Sequence, residues 1–139
     1  MASPLDVRIA NGTIPDTLRG VLLDFPWELE RLLALDLPIE RVRVQDFVWL
    51  LDLPFWRERG EWFVLTPNQV RERPDEHTEQ WSRVLRAELE APVHITERHG
   101  RPVIIDGIHR LLKADIAGVN TLPARRVPNS MLPLIAAAP

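Results

Sequence analysis

Apolar and polar residues alternate most clearly in the stretch VHITERHGRPVII, which spans residues 93 to 105. Such alternation is typical of strands with one buried face, and the His99-Gly100 pair in its middle is suited to a tight turn. The pattern therefore predicts a β-hairpin. A second stretch, TLPARRV at residues 121 to 127, predicts a final strand.

Between these strands the spacing of apolar residues changes to that of a helix. An apolar run stops at Asp106-Gly107, and the sequence IHRLLKADIA then places apolar residues three and four apart. We expect a helix that Asp106 or Gly107 caps, that runs to about Ala117 and that Gly118 ends in a left-handed conformation. The side chains expected to face the core are Ile108, Leu111, Leu112 and Ile116.

The N-terminal part of the chain gives weaker patterns. The opening MASPLDVRIANG predicts a loose arm or an edge strand, and Thr13 is suited to cap a short helix to about Leu23. A second short helix is expected from Pro26 to Leu35, where leucines recur at helical spacing. RVRVQDF, residues 41 to 47, alternates and predicts a strand.

The middle of the chain combines an aromatic-rich segment with an amphipathic one. Residues 49 to 70 carry aromatic side chains on both sides of Gly60, which predicts a packed flap or a hairpin. Residues 75 to 89 carry Trp, Val and Leu at helical spacing, which predicts an amphipathic helix. Pro92 prevents that helix from continuing.

Composition and charge narrow the class of protein. The 139 residues are 45% hydrophobic and 27% charged, which suits one globular domain, and thirteen prolines argue against long helices. The lack of cysteine excludes disulfides, thiolate catalysis and cysteine-bound zinc, and it fits the cytoplasmic location that we expect. A net charge of −3 argues against general DNA binding. We also expect no membrane association, since no apolar run is long enough to span a bilayer.

The helix expected after Asp106 has basic residues at its start. His109, Arg110 and Lys113 lie in its first two turns, although the N-terminus of a helix is the positive end of its dipole and disfavours cations. An anion among these residues would explain the arrangement. Free backbone N–H groups, a glycine that permits close approach and a planar guanidinium all suit a phosphate. The sequence therefore predicts a phosphate site at Gly107, His109, Arg110 and Lys113.

Each of these residues also has a structural interpretation. Asp106 is suited to cap the helix, Arg110 to pair with a surface carboxylate, and His109 to fill a structural position. Asp106 has a further candidate role as a ligand of Mg²⁺, or as the group that orients His109. A nucleotide usually brings Mg²⁺, and that ion prefers carboxylates and water.

The segments Pro92-Val93-His94-Ile95 and Gly107-Ile108-His109-Arg110, in the order helix, strand, hairpin, helix and strand, resemble the ParB/sulfiredoxin superfamily. The second segment is similar to the Gly-Cys-His-Arg of sulfiredoxins, the Gly-Glu-Arg-Arg of chromosome-partitioning ParB proteins and the Gly-His-His-Arg-like motif of ParB-related free serine kinases. The resemblance covers roughly residues 74 to 128.

This resemblance implies an α+β fold, a single ParB/sulfiredoxin-like domain with a small mixed sheet and flanking helices. It also implies that a nucleotide binds with its phosphates at the helix start. We expect the domain at residues 39 to 128, after a helical arm (1 to 38) and before an apolar tail (129 to 139). The residues implicated in nucleotide binding are Gly107, Ile108, His109, Arg110 and, on the preceding helix, Arg83.

Departures from the family pattern limit what the resemblance implies. Ile108 stands where sulfiredoxins carry their nucleophilic cysteine and ParB proteins a glutamate, which excludes sulfinic acid reduction and argues against a CTP-dependent clamp. We do not expect sequence-specific DNA binding, because the helix-turn-helix domain that follows in ParB proteins has no counterpart in the sequence. Four weaker candidates are Arg86 for phosphate, His94 as a lining residue, and Asp46 or Asp52 as a base.

Three functions follow from these observations. The first is a small-molecule phosphotransferase that uses ATP or ADP, with Asp106 and His109 as candidate catalytic residues and Mg²⁺ as its ion. The second is a non-catalytic nucleotide-binding module with a regulatory or partner-binding role, for which CTP is a further candidate ligand. The third, which we favour least, is a nuclease or DNA-associated protein. A homodimer is compatible with each.

Overall fold

The computed structural model describes residues 14–138. Within this range the helices are α1 (Leu29–Leu33), α2 (Pro67–Glu72), α3 (Thr78–Arg86) and α4 (Ile108–Ala117). The strands are β1 (Ile39–Arg43), β2 (Trp56–Glu58), β3 (Glu61–Leu65), β4 (Val93–Arg98), β5 (Arg101–Asp106) and β6 (Thr121–Arg126). Short 3₁₀ helices are formed by Asp16–Leu18, Val44–Asp46, Val48–Asp52 and Asn129–Ile135. No helix in this part of the chain is both long and apolar enough to cross a membrane.

Four of the strands form one mixed sheet in the order β1-β6-β4-β5. β6 pairs with β1 antiparallel and with β4 parallel, while β4 and β5 form an antiparallel hairpin. α4 connects β5 to β6 and packs Leu111 and Leu112 into the main core. The chain is thus a single-domain mixed α/β protein with a four-stranded mixed sheet and helices, which agrees with the expected α+β class.

Two hydrophobic clusters lie on opposite faces of β5. Ile104 packs into the main cluster and Ile105 against the second, because successive strand residues point to opposite faces of the sheet. The second cluster joins Trp27 and Leu32 to Ile135 in the C-terminal 3₁₀ helix. The segment expected as an apolar tail is therefore packed against residues that precede the sheet.

The hairpin predicted over residues 93 to 105 is confirmed, and of the two alternatives for the aromatic-rich segment, a packed flap or a hairpin, the hairpin forms. β4 and β5 turn at His99-Gly100, whose φ angles of 54° and 76° match the type I′ turn that follows the twist of the strands. β2 and β3 form a second hairpin in the aromatic-rich segment and turn at Arg59-Gly60. This second hairpin places Trp56 and Trp62 beside α3 and α4 in the site described below.

The first predicted helix is wrong. Only the 3₁₀ turn Asp16–Leu18 forms, and Gly20, with φ of 77°, directs the chain out of a helical path well before Leu23. Thr13, the expected cap, and the opening arm lie outside the described residues.

The second predicted helix is confirmed only in its last part, as α1. Its first turn is replaced by pairing with the C-terminal segment, because Glu28 donates to the carbonyl of Ile135 and Pro26 accepts from Ala137, both at 2.9 Å. Glu28 is therefore extended, and the helix begins at Leu29.

Several boundaries in the middle of the chain also differ from the prediction. The strand expected over residues 41 to 47 ends at Arg43, because Val44 donates to the carbonyl of Asn120 at 2.9 Å and the chain then turns. α3 is shorter than residues 75 to 89, and Leu85 on it is 58% exposed. α2 was not predicted, although Thr66 and Gln69 form a capping box at its start.

The predicted helix after Asp106 is confirmed as α4, and Gly118 ends it with φ of 74°. Gly107 is its N-cap, whereas Asp106 is the last residue of β5 and does not cap the helix. Leu111 and Leu112 are buried as expected, and Ile108 packs against the core. Ile116 was expected in the core but is 45% exposed, because the inner side of the helix continues through Ala114 instead.

Gly107 lets α4 begin directly against β4. Its φ is 125°, and a Cβ atom placed there would lie 2.5 Å from Cγ1 of Val93. Residues with a Cβ atom rarely adopt such a φ angle, and a distance of 2.5 Å between two carbon atoms is a clash. Only glycine therefore fits between the strand and the helix.

We predict that Gly107→Ala lowers the free energy of unfolding by about 3 kcal/mol or more, since backbone strain and the clash with Val93 add together. Gly118→Ala is the matched control: its φ is also positive, but its Cβ would meet no atom within 4 Å. That change should cost only about 1 kcal/mol. Urea denaturation of both variants measures the difference, and equal losses would contradict the close packing of Gly107.

Candidate functional site

The start of α4 presents unsatisfied backbone donors at the end of β5. The first N–H groups of any helix lack partners inside it, and here they belong to Ile108, His109 and Arg110. Among the described residues no side chain caps this end, and the first turn carries no acidic residue. The positive end of the helix dipole is therefore left without a compensating negative group from the helix itself.

His109 is held in place by an aromatic stack and a hydrogen bond. Its ring lies 4.3 Å from that of Trp56 with an interplanar angle of 11°, and its Nε2 lies 2.8 Å from Oε1 of Gln80. The amide nitrogen of Gln80 donates to the carbonyl of Arg57 at 3.2 Å. Because Oε1 of Gln80 can only accept, His109 must donate from Nε2.

The electrostatic surroundings keep His109 neutral. Burial is the largest cause, and the charges of Arg83 and Arg110 act in the same direction, so that the pKa of His109 falls from 6.5 to about 4 despite the opposing Asp106. At neutral pH His109 is therefore an oriented, uncharged donor. It does not supply the positive charge that the sequence motif suggests.

Arg110 binds groups of its own chain. Its guanidinium donates to the carbonyls of Ala91 and Pro92, just before β4, and to Oδ2 of Asp106 at 3.3 Å. Its side chain is largely buried. Arg110 therefore fixes the loop that leads into β4 against the start of α4, and this occupies much of its hydrogen-bonding capacity.

Asp106 lies between two basic side chains. Burial alone would raise its pKa, but the His94 imidazole and the Arg110 guanidinium outweigh that effect and hold the pKa below its usual value. Nδ1 of His94 lies 3.8 Å from Oδ2 of Asp106, too far for a hydrogen bond. Nδ1 is buried and, among the described residues, has no hydrogen-bond partner. An ionised carboxylate and an unsatisfied imidazole thus lie together beside Gly107.

Lys113 joins α3 to α4. Its Nζ donates to the carbonyls of Leu85 and Ala87 at 2.8 and 2.7 Å, where the last carbonyls of α3 lack helical partners. Lys113 therefore holds the end of α3 and is not a free cation at the helix start. Arg83, on α3, is half exposed, and its ion pair within the described part of the chain is with Glu79, at 3.8 Å.

A groove lies beside this arrangement, between the β2–β3 hairpin and α3, and we call it the hairpin groove. Its volume is about 180 Å³, and it is lined by Phe55, Trp56, Arg57, Trp62, Glu79, Gln80 and Arg83. Trp56 and Gln80 are the two residues that hold His109. The groove and the helix start therefore share walls.

Four larger cavities are lined by other sets of residues. One of about 520 Å³ is lined by residues around Gly118, at the C-terminal end of α4, where the helix dipole is negative. Another of about 350 Å³ is lined by Arg98 and His99, at the end of the hairpin far from Asp106. The other two, of about 250 and 230 Å³, lie beside His77 and beside Pro128. None of the four is lined by a residue of the Gly107-Ile108-His109-Arg110 motif, and the hairpin groove reaches that motif only through Trp56 and Gln80, so cavity size alone does not identify the site.

Comparison of the chain with protein-family models, with curated proteins and with solved structures gives no match. The geometry and chemistry of the site are therefore the basis for assigning a function.

The structure brings some of the expected site residues together and separates others. Gly107, Ile108, His109, Arg110 and Asp106 meet at the start of α4, whereas Lys113 and Arg86 bind backbone carbonyls of α3. Of the weaker candidates, Asp52 accepts a hydrogen bond from Asn68 and Asp46 is exposed in a 3₁₀ turn, while His94 faces Asp106. Gln80 is a residue that the sequence did not indicate, whereas Trp56 and Trp62 belong to the aromatic-rich segment that was expected to pack as a flap or a hairpin.

A metal ion at this site would have few protein ligands. In residues 14–138 no group of three or more His, Asp or Glu side chains is arranged to hold a metal. Mg²⁺ commonly binds through one carboxylate together with water and phosphate oxygens. The ionised Asp106 fits such a role, with the remaining ligands coming from a bound phosphate and water.

We predict that protonation of His109 destabilises the fold. Its pKa is about 4 in the folded chain and 6.5 without the fold, so the unfolded state binds more protons between these values. Stability present above pH 6.5 should therefore be lost as the pH falls toward 4, by at most about 2–3 kcal/mol. Urea denaturation from pH 7.5 to 4 measures this loss. The same pH series on His109→Gln measures the contribution of all other groups, which is subtracted. If the free energy of unfolding falls with pH equally in the two proteins, the pKa of His109 is not lowered in the folded chain.

We predict that Lys113→Met lowers the free energy of unfolding by about 1–2 kcal/mol, because the end of α3 loses two charge-assisted hydrogen bonds. Arg86→Met on α3 is the control, since Arg86 is exposed and donates only a long bond of 3.4 Å to Ser82. Its effect should stay within about 0.5 kcal/mol. Similar losses for both variants would contradict the role assigned to Lys113.

Proposed function

We propose that this chain binds a nucleotide, with the phosphates at the start of α4. The observation that carries the proposal is the uncapped end of α4, where three backbone donors follow a glycine and no acidic residue lies in the first turn. Helix starts of this kind bind phosphate through N–H groups and the dipole. The resemblance to the ParB/sulfiredoxin superfamily supports the same position and is part of the proposal.

In this proposal the basic motif residues position the site more than they contact the phosphate. Arg110 fixes the loop before β4, and Lys113 fixes the end of α3, which carries Arg83. The direct phosphate ligands are then the N–H groups of residues 108 to 110 and the guanidinium of Arg83. Arg83 is the side chain suited to this task, because it is half exposed and its charge already acts on His109.

The function that this geometry supports best is nucleotide binding, and a non-catalytic module needs nothing more. A second candidate is a small-molecule phosphotransferase using ATP or ADP, and the observation that favours it is the Asp106 carboxylate, which stays ionised beside the proposed phosphates. Such a carboxylate suits Mg²⁺, or it can accept the proton of a hydroxyl acceptor. Product formation with Mg²⁺ and candidate acceptors distinguishes the two functions.

We predict that Arg83→Gln weakens the binding of ATP by about tenfold or more, because a guanidinium–phosphate contact is lost. Calorimetric titration with ATP, ADP and CTP, with and without Mg²⁺, measures the affinity of the wild-type chain and of the variant. Arg86→Gln is the matched control on the same helix and should bind like the wild type, because Arg86 does not line the hairpin groove.

The proposal fails if the folded wild-type chain binds none of these nucleotides. It also fails in its assignment of Arg83 if the two variants weaken binding equally, because a general loss of positive charge would then explain the effect. Far-UV circular dichroism of each variant establishes that the fold is kept.

A further inference from the structure

The polar residues that line the hairpin groove form a connected network, and three aromatic side chains line the groove beside them. Arg57 lies 3.3 Å from Glu79, and Arg83 lies 3.8 Å from the same carboxylate. Gln80 donates to the backbone of Arg57 and accepts from His109. Two guanidinium groups therefore share one carboxylate, which leaves the groove with an excess of positive charge.

We propose that the hairpin groove binds the base of the nucleotide whose phosphates lie at the start of α4. This inference rests on the proposed function. Phe55, Trp56 and Trp62 line the groove and offer aromatic surface, and bases stack well on such side chains. The guanidinium of Arg57 lies 5.2 Å from the ring centre of Trp62, so one face of that ring already packs against a planar cation, and the base stacks in its place or on the opposite face.

The size of the groove suits one planar ring system. Its volume of about 180 Å³ is slightly larger than the roughly 150 Å³ cavity that holds benzene in an engineered core. A base fits this space, whereas the sugar and phosphates must lie outside it. The excess positive charge of the groove complements the charge of those phosphates.

The path from the groove to the helix start is short. Trp56 and Gln80 line the groove and also contact His109, the second residue of α4. Arg83 lines the groove as well, and its charge lowers the pKa of His109. A nucleotide with its base on Trp62 therefore has its phosphates directed past Arg83 toward the donors of α4.

The same network indicates that the base is bound with little selectivity. Of the polar side chains that line the groove, Arg57, Glu79 and Gln80 have partners within the chain, and Arg83 is assigned to the phosphates. Hydrogen bonds to base edges are what discriminate one base from another, whereas stacking tolerates all of them. We therefore infer that purine and pyrimidine nucleotides bind with affinities within about tenfold of each other.

The test compares four probes on the full chain by calorimetry: ATP, CTP, inorganic pyrophosphate and adenosine. Trp62→Ala should weaken ATP binding by about ten- to one-hundredfold through lost stacking and leave pyrophosphate binding unchanged. Trp62→Phe should restore most of the ATP affinity, because an aromatic face is kept. Trp62 suits this test better than Trp56, since Trp56 belongs to the main core.

Each outcome separates the base site from the phosphate site. ATP binding that is the same in Trp62→Ala and wild type overturns the base site and leaves the proposed function standing. Adenosine binding that depends on Trp62, without pyrophosphate binding, supports the base site and overturns the phosphate site. No binding of any probe overturns both, and a preference of more than about tenfold between ATP and CTP overturns binding by stacking alone.

Discussion

The close approach of α4 to β4 at Gly107 is the constraint on which the site depends. A side chain at this position would occupy the space of Val93, so the helix could begin there only after moving away from the strand. The same contact starts α4 directly at the end of β5, next to Asp106, where the first N–H groups of the helix have no partner inside it. Packing of the sheet and presentation of the donors therefore have one cause, the missing Cβ of a single residue.

Most charged side chains around that contact already bind groups of the chain itself. Arg110 donates to a backbone carbonyl just before β4, and Lys113 donates to one at the end of α3. Arg110 and His94 together hold the pKa of Asp106 below its usual value. His109 is neutral and serves as a donor to Gln80. What remains for an anion is the backbone of α4 and the guanidinium of Arg83. In the proposed nucleotide site the N–H groups of α4 are fixed before binding and lose little entropy, whereas the half-exposed side chain of Arg83 must be ordered.

Local signals allowed correct prediction of the elements that carry the site. His99-Gly100 specified a hairpin and Gly118 ended α4, because these preferences are properties of a few neighbouring residues. The N-terminal helices were predicted wrongly for the opposite reason. Glu28 pairs with Ile135 instead of starting a helix, and a distant strand-like bridge was stronger than the weak helical preference of a short segment.

The sequence by itself determined the hairpin, α4 and the cluster of Asp106, His109 and Arg110 around one glycine, since backbone conformation and helical spacing are encoded locally. Only the tertiary structure decided what those residues do. His109 contacts Trp56 and Gln80 from other elements, and Lys113 binds the end of α3. In each of these contacts the two residues are at least 26 positions apart in the sequence. Burial and neighbouring charge then set the pKa of His109, and neither quantity exists before the chain is folded.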